Sequence, residues 1–584
     1  MGFFAVGAAF VTRARLQSAA LWVVLAALCL VHLIASLTAP AGDFDDGIQL
    51  VGAMLLRRGQ LPNSDFVCVY PPLNAFLLAG AFSLFGESVV TYRIVQWLAC
   101  WVALFCVTTT CSYLKPVRSS RASVLLVTLL LNSVLQELQV ATGVMWSALT
   151  LTLLLAARAR IGRVATRLRW CAAVCLAALA WTRINFALYF AGAWAIDAVV
   201  SYVDDTSAAQ QRLRAELLSF VTPVCVIMIG SLAVWADLGG SVLELIRQIL
   251  LLSPRALVAH AIQPVSGGLG FTDLRKVLLS GILTACLPSA WLACLTPAET
   301  RGILARNKLW LATALTAALV LLLGWLRPTL LPLPLCLQIA LVALHHKRSV
   351  RAERTRSFVL LLCTIQLHYM LSRPDTSHFY ALFIGLAWLF VSALAYADTA
   401  VMLRLVAILA LAAGPAVIYN LKHVLRSAQQ RAVGLRALPA MLSTDDAVLN
   451  QGCGAPCTVF SESDPDAYAA TAYIRTHSSD AELVFSGLVQ QSESAYNDMH
   501  AYWLLRRRSP TRHVMLMRGL TTGAAEEAEI MHDLEAQAVP WLFMRASSPA
   551  RHQTTQLSAL DHYLRAHYTV EQRFGLSEVW RRSP

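Results

Sequence analysis

The chain has 584 residues, of which 57% are hydrophobic and 14% are charged, and its mean hydropathy is +0.59. A soluble globular protein of this length could not bury so much apolar surface, so the composition excludes that class and predicts that most of the chain lies in a lipid bilayer. The net charge of +13 does not indicate a nucleic-acid partner, because Arg and Lys lie in short segments between apolar runs, at 13–15, 115–121, 158–169, 301–308 and 347–356.

The apolar runs predict about thirteen transmembrane helices. Their approximate positions are 19–38, 89–113, 122–134, 143–157, 170–183, 185–200, 217–235, 277–296, 309–326, 329–345, 357–371, 379–397 and 400–420. The basic segments fall on alternate connections, which is typical of cytoplasmic loops, so we expect the N-terminus in the cytoplasm and the residues after 421 outside. The first run carries no cleavage pattern and is expected to remain as an anchor.

Residues 1–420 are thus expected to form an α-helical polytopic membrane domain with two long external connections, at 39–88 and 236–276. In the second connection, residues 241–252 predict an amphipathic surface helix. After 421 the composition becomes that of a soluble protein, and strands alternating with helices predict a small periplasmic α/β domain over 421–584. The predicted strands are 483–485, 513–517 and 541–544, and the predicted helices are 464–477, 498–506, 524–536 and 555–567.

The first external connection begins with an acidic run, D-F-D-D-G, at residues 43–47. Carboxylates directly after an apolar helix are a candidate functional site, because charge near lipid is costly unless it has a partner or a role. A carboxylate is also the usual general base for removing the proton of an acceptor hydroxyl. The alternative is structural, with Asp43, Asp45 or Asp46 capping a helix that starts near Gly47, since Asp is favoured at helix N-caps.

The segments that follow are V-Y-P-P-L-N and L-F-G-E-S-V-V-T-Y-R, which ends at Arg93. Their order after the acidic run resembles the first external loop of the GT-C membrane glycosyltransferases, which include the protein O-mannosyltransferases and the transferases that add aminoarabinose to lipid A. The resemblance implies that a sugar is transferred, with inversion, from a polyprenyl-phosphate donor to a lipid, glycan or protein acceptor outside a bacterial inner membrane. It makes Asp45 and Asp46 the catalytic pair, with Asp46 in place of the more usual Glu, and makes residues 73–85 an interfacial helix.

The resemblance also implies which residues bind the donor. Asp65 and Tyr70 lie in the first loop, and Tyr70 stands where related transferases carry a Lys that contacts the phosphate; the alternative is a purely structural turn at Pro71 and Pro72. Arg183 and Asn185 lie near the outer end of the fifth predicted span, where the arginine either binds the phosphate or extends to lipid headgroups. A further element between the eleventh and twelfth spans consists of Arg373, Asp375 and His378. An arginine binds phosphate bidentately, and the alternative for this element is a tight external turn with an Arg–Asp pair.

No motif in the sequence requires a cofactor; a divalent metal is compatible with the acidic pair, but there is no P-loop, dinucleotide-binding or H-E-x-x-H motif. Cys453 and Cys457 are expected to form a disulfide outside the membrane, because C-x₃-C alone lacks the other ligands of a metal site. The rival function is a polytopic transporter or a lipid-linked sugar flippase. That class would place charges near mid-membrane and repeat its halves.

Overall fold

The computed structural model describes residues 45–112, 141–203, 207–248, 465–490, 497–516, 523–546 and 557–584, with isolated positions 23, 358, 359, 362, 363 and 366. The described residues up to 248 form a helical unit, and those from 465 onward form a domain built on a four-stranded sheet. Apart from the isolated positions, the predicted spans at 19–38, at 122–134 and between 277 and 420 lie outside the described residues. The number of thirteen spans therefore stays a prediction.

Two short helices form most of the first external connection. Helix α1 is Asp45–Arg57 and helix α2 is Leu73–Phe85, which confirms the predicted bounds of the second. Pro72 precedes α2 and has no amide hydrogen to donate, so its place before the first turn is unstrained. Gly86 follows α2 at φ +91°, in the left-handed region that favours glycine. These two residues set both ends of the helix.

Six more helical segments continue the helical unit. They are α3 Val89–Ser112, α4 Ala141–Arg158, α5 Gly162–Ala180, α6 Ile184–Val203, α7 Ser207–Glu216 and α8 Thr222–Asp237. Within the described residues, three stretches are long and apolar enough to cross a membrane, namely Val89–Cys106, Ala141–Arg158 and Gln210–Asp237. Helix α5 begins before the predicted span at 170–183, because the basic residues preceding that span continue the helix instead of forming a loop.

A π-helical turn, Leu217–Val221, joins α7 to α8 within one continuous helix. Pro223, in the first turn of α8, cannot donate the amide hydrogen that a regular α-helix requires there. The Thr222 hydroxyl donates to the Leu217 carbonyl oxygen at 2.9 Å and so satisfies part of the disturbed main chain. A π-helical turn of this kind widens the helix locally, because its hydrogen bonds span one residue more than those of an α-helix.

Polar contacts join the helices at both ends of the helical unit. At one end, the Leu73 amide donates to the Trp181 carbonyl oxygen at 3.0 Å, so the start of α2 lies against the turn between α5 and α6. At the other end, Arg158 closes α4. Its Nε donates to Glu216 Oε1 at 2.8 Å and its Nη2 to Asp197 Oδ2 at 2.8 Å. This buried ion cluster joins α4, α6 and α7 at the end opposite α1 and α2.

The second external connection starts with a short helix, α9 Val242–Arg247, as the sequence predicts. The Ser241 hydroxyl accepts from the Glu244 amide at 3.1 Å and caps this helix. Just after the helix, the Gln248 side-chain oxygen accepts from Asn63 Nδ2 at 2.8 Å. The two external connections are therefore joined by hydrogen bonds between side chains.

The C-terminal domain places helices against a mixed sheet. Its elements are α10 Pro465–His477, β1 Val484–Leu488, α11 His500–Leu505, α12 Ala524–Ala536, β2 Trp541–Arg545, α13 Ala559–His567, β3 Tyr568–Phe574 and β4 Ser577–Arg582. The strand order is β1-β2-β4-β3, with β1 and β2 parallel and the other two pairs antiparallel. The predicted helices at 464–477 and 524–536 and the strand at 541–544 are confirmed.

Two features of this domain differ from the prediction. The strand predicted at 513–517 is wrong for 513–516, where the main chain pairs with one side chain instead of a neighbouring strand. The Leu516 amide donates to Asn497 Oδ1 at 2.9 Å, and Asn497 Nδ2 donates to the Val514 carbonyl oxygen at 3.0 Å. The second difference is the terminal hairpin of β3 and β4, which the sequence analysis does not predict.

The C-terminal domain and the first external connection share one hydrophobic core. Met54 of α1 and Phe82 of α2 are buried together with Tyr502 and Trp503 of α11 and with Met515. The rings of Phe82 and Trp503 lie 5.6 Å apart. Because burial of apolar surface is the main favourable term in folding, this shared core holds the domain firmly on the first external connection.

Candidate active site

Asp46 lies in the first turn of α1, where the helix dipole favours an acidic side chain, and only 1% of the residue is exposed. The Tyr92 hydroxyl donates to its Oδ1 at 2.5 Å, and Arg93 Nη2 donates to its Oδ2 at 2.9 Å. Both oxygens of the Asp46 carboxylate therefore hold a partner from α3. Asp45 is the first residue of the same helix, and Asp43 lies outside the described residues.

The ion pair of Asp46 with Arg93 is buried on both sides, with 2% and 4% of the two side chains exposed. Burying two charges costs hydration, and losing one partner would leave the other charge uncompensated. The pair therefore fixes the start of α1 to the start of α3. Arg93 ends the motif that carried the family resemblance. The sequence analysis assigns no role to Arg93 or Tyr92, although both belong to the Y-R end of the motif that follows the acidic run.

A network of uncharged polar side chains continues from Asp46 along one end of the helical unit. One turn further along α1, Gln49 Oε1 accepts from Asn74 Nδ2 at 2.6 Å and from Gln96 Nε2 at 2.8 Å. Asn74 Oδ1 accepts from the Thr142 hydroxyl at 3.0 Å. These bonds join α1, α2, α3 and α4: α1 receives polar contacts from α2 and α3, and α4 is joined to it through Asn74 of α2.

Arg183 lies next to this network, in the turn between α5 and α6, and is 9% exposed. Its guanidinium carbon lies 3.9 Å from the centroid of the Tyr70 ring. Helix α4 approaches it closely, since a Cβ built on Gly143 would lie 2.9 Å from Arg183 Cγ. The structure thus brings together two of the predicted donor contacts, Arg183 and Tyr70, at the same end as Asp46. Asn185 is half-buried at the second position of α6.

The other described residues of the first loop show structural contacts. Asp65 is exposed, and its Oδ2 accepts from the Leu61 amide at 2.6 Å, which stabilises the turn before it. Its contact with a donor stays a prediction. Burial raises the pKa of the Cys68 thiol to about 11, against the opposing effects of the Tyr70 main chain and the Arg183 charge. Cys68 is therefore a neutral thiol and not a nucleophile at neutral pH.

The C-terminal domain adds a residue to this site that the sequence did not indicate. His500, the first residue of α11, is buried, and its main-chain nitrogen would lie 3.0 Å from a Cβ built on Gly47. Burial lowers the pKa of His500 to about 4; the Asp46 carboxylate opposes this shift, and the charges of Arg506 and Arg93 add to it. The imidazole is therefore neutral at neutral pH. No local pattern in the sequence links this histidine to the acidic run.

The remaining predicted site residues lie outside the described residues. They are Arg373, Asp375 and His378 of the third donor element and the cysteines of the expected disulfide, Cys453 and Cys457. Their roles stay predictions. Within the ranges that the structure describes, no group of three or more His, Cys, Asp or Glu side chains is arranged to hold a metal ion.

No family model matches the sequence, and no curated protein matches it. Among solved structures, ArnT from Cupriavidus metallidurans in the apo state is 14% identical, with a TM-score of 0.44 and coverage of 96% of this chain and 98% of that chain. The same protein bound to undecaprenyl phosphate is 12% identical, also with a TM-score of 0.44, and 96% and 97% of the two chains are covered.

The archaeal oligosaccharyltransferase AglB from Archaeoglobus fulgidus, in complex with an inhibitory peptide and a dolichol-phosphate, is 12% identical to this chain. Its TM-score is 0.36, with coverage of 89% of this chain and 69% of that chain. The likeness of fold to ArnT extends over 96% of this chain, and the likeness to AglB over 89% of it.

Proposed function

We propose that the chain is a glycosyltransferase of a bacterial inner membrane that moves a sugar from a polyprenyl-phosphate donor to an extracytoplasmic lipid, glycan or protein. The observation that carries the proposal is the buried Asp46 carboxylate at the start of α1, held by Tyr92 and Arg93. It lies at the same end of the helical unit as the stacked Arg183 and Tyr70. A carboxylate can accept the proton of an acceptor hydroxyl, and a guanidinium can bind the phosphate of the donor.

The reaction is a single displacement with inversion at the anomeric carbon. The oxygen of the acceptor hydroxyl forms a bond to that carbon while the bond from the carbon to the phosphate oxygen breaks. The bonding electrons leave with the polyprenyl phosphate, and the hydroxyl proton passes to a carboxylate of the enzyme. General-base help of this kind typically contributes about 10²- to 10⁴-fold in rate.

Asp45 is the better candidate for the base, and Asp46 is the residue that positions it. Both oxygens of Asp46 are engaged by α3, and burial leaves no room for an acceptor hydroxyl to approach them without breaking the pair with Arg93. Asp45 precedes it at the first position of α1, and helix dipole and sequence pattern both favour an acid there. The buried pair then holds the start of α1 while its neighbour takes the proton.

Arg183 supplies the positive charge for the donor phosphate. Its guanidinium is always protonated, and its planar face is already stacked on Tyr70, so little side-chain entropy is lost when a phosphate binds at the edge of the group. By the resemblance, Arg373 would contribute a second charge-assisted contact. These charges also stabilise the negative charge that gathers on the leaving phosphate.

The test is the lipid that copurifies with the protein, identified by mass spectrometry after extraction from native membranes. We expect the wild-type protein to copurify with a polyprenyl phosphate, free or sugar-linked. The amount that copurifies with an Arg183→Ala variant should be lower by about tenfold or more, since a charge-assisted contact is lost. The matched control is Arg163→Ala, an exposed arginine at the opposite end of α5, which should retain the normal amount. Absence of any polyprenyl lipid, or equal retention by both variants, would reject the proposed donor site.

A further inference from the structure

Helix α11 of the C-terminal domain packs so closely on α1 that only glycine fits at Gly47. A Cβ built there would lie 2.6 Å from Met499 Cβ and 3.0 Å from the His500 nitrogen. Neither atom belongs to the flexible end of a side chain, so an alanine would have to separate the two helices. The contact differs from that at Gly52 on the same helix, where an added Cβ would lie 3.8 Å from Ala75 Cβ, an ordinary van der Waals distance.

The start of α11 is itself fixed by the C-terminal domain. Asp498 is completely buried, and its Oδ1 accepts from the His500 amide at 2.9 Å. The Oδ2 atom of Asp498 lies 3.4 Å from Arg545 Nη1, at the end of β2. The His500 ring meets the Tyr468 ring edge to face, with centroids 6.5 Å apart. The imidazole therefore has a defined place beside the ion pair of Asp46.

Further contacts fix the orientation of the domain on both external connections. The Val67 amide donates to the Arg512 carbonyl oxygen at 2.9 Å, and Arg512 Nη2 donates to Glu244 Oε1 of α9 at 2.9 Å. Arg506 pairs with Glu87, which follows α2. Burial alone would raise the pKa of Glu244, but the hydrogen bond from Gln248 and the charges of Arg512 and Arg247 lower it, so Glu244 is ionised in this contact.

We propose that Met499 and His500 are positioning residues for the acidic pair. Through the close contact at Gly47, the C-terminal domain fixes the position of the first turn of α1, which begins at Asp45. The neutral His500 imidazole fills the space beside Asp46 without adding a charge to its pair with Arg93. This inference rests on the proposed transferase function and extends it, because it makes the C-terminal domain a part of the catalytic site.

The test compares Gly47→Ala with Gly52→Ala in a transfer assay with a sugar-linked polyprenyl phosphate. Both changes raise helix propensity equally, so the difference isolates the contact with α11. Because a displacement of about 1 Å can cost about 100-fold in rate, we expect Gly47→Ala to lower kcat at least tenfold. The KM for the donor should change less than threefold, since Arg183 is not moved. Gly52→Ala should keep both constants within twofold of the wild type.

A second measurement separates positioning from simple misfolding. Met499→Gly removes the Cβ that an alanine at position 47 would strike, whereas Met499→Ala keeps it. We expect Met499→Gly, and not Met499→Ala, to restore part of the kcat and of the thermal stability lost in Gly47→Ala. His500→Phe keeps an uncharged ring beside Asp46, so kcat, KM and the melting temperature near pH 7 should stay close to those of the wild type.

The outcomes distinguish this inference from the proposed function. If the wild-type protein transfers no sugar, the proposed function fails. The stability part of the inference is then still measured, because Gly47→Ala must lower the melting temperature and Met499→Gly must relieve it. If the wild type transfers sugar but Gly47→Ala matches Gly52→Ala in kcat, the positioning role is overturned and the transferase assignment stands. Equal rescue by Met499→Gly and Met499→Ala would also overturn it.

Discussion

Replacing Asp46 with Asn tests the most important contact in the structure. In the native protein the Tyr92 hydroxyl donates to Asp46 Oδ1 at 2.5 Å. Asn has the same size as Asp, and its carbonyl oxygen can still accept this hydrogen bond. An amide group, however, would face the Arg93 guanidinium, which lies 2.9 Å from Oδ2 and has only 4% of its side chain exposed. Removing one partner of a buried ion pair typically costs about 3–5 kcal/mol, because the remaining charge is left without compensation. We expect a loss of about 3 kcal/mol.

Two variants serve as controls for this measurement. Glu571→Gln removes another carboxylate that pairs with an arginine, Arg581, but 33% of the Glu571 side chain and 57% of the Arg581 side chain are exposed. Exposed pairs contribute about 0–1 kcal/mol, so this variant should behave almost as the wild type. In the double variant Asp46→Asn with Arg93→Met, the uncompensated charge is gone. We therefore expect most of the lost stability to return, since apolar replacement of a buried pair is often neutral.

The assay is the apparent melting temperature in detergent, followed by tryptophan fluorescence and by the fraction of protein that remains monodisperse after heating. All variants are measured at one heating rate, because membrane proteins of this size commonly unfold irreversibly. The reasoning is refuted if Asp46→Asn is no less stable than Glu571→Gln, or if adding Arg93→Met brings no recovery. Full stability with complete loss of transfer would instead make Asp46 itself the base.

Three further expectations concern the protonation of His500, the ion cluster at Arg158 and the membrane topology. The unfolded chain protonates histidine near pH 6.5 and folded His500 only near pH 4, so stability should fall by up to about 3 kcal/mol as pH drops through this window. Melting temperatures measured against pH should show this slope in the wild type and a smaller one in His500→Phe. Glu216→Gln should lower stability by about 1–3 kcal/mol without changing kcat, because Arg158 loses a charged partner far from the site but keeps Asp197; a changed kcat would contradict this. A reporter active only in the cytoplasm, fused after Pro584, should be silent, and a strong signal would overturn the predicted topology.

Local signals in the sequence were sufficient for several elements. The two prolines before helix α2 mark its start, and the resemblance to the GT-C transferases predicts the helix itself, with its observed bounds. The start of helix α10 is marked by Asp464 and Pro465, whereas α12 is predicted from its helical pattern alone. The β3–β4 hairpin was overlooked because its first strand is largely polar and exposed, although Gly575, at φ +52°, was an available turn signal.

Only some of the residues that make up the candidate site could be predicted from the sequence. The acidic run stood out because carboxylates next to an apolar helix are rare, and the resemblance drew attention to Tyr70 and Arg183, which prove to be stacked. The partner of Asp46 is Arg93, 47 residues away, and such a pairing has no local periodicity that would reveal it. His500 reaches the same helix from the C-terminal domain, and the fit at Gly47 depends on the packing of two separate parts of the chain.

The central claim is that Asp45 removes the proton of the acceptor during sugar transfer. The most direct measurement is the release of free polyprenyl phosphate from a radiolabelled sugar-linked donor, by purified protein supplied with cell-envelope acceptors. We expect Asp45→Asn to lower this rate by about 10²- to 10⁴-fold while its melting temperature and its bound lipid stay those of the wild type. Asn caps helices as well as Asp, so a purely structural role predicts little change in rate. Normal transfer by Asp45→Asn would contradict the account, and donor that crosses the membrane with its sugar intact would identify a flippase instead.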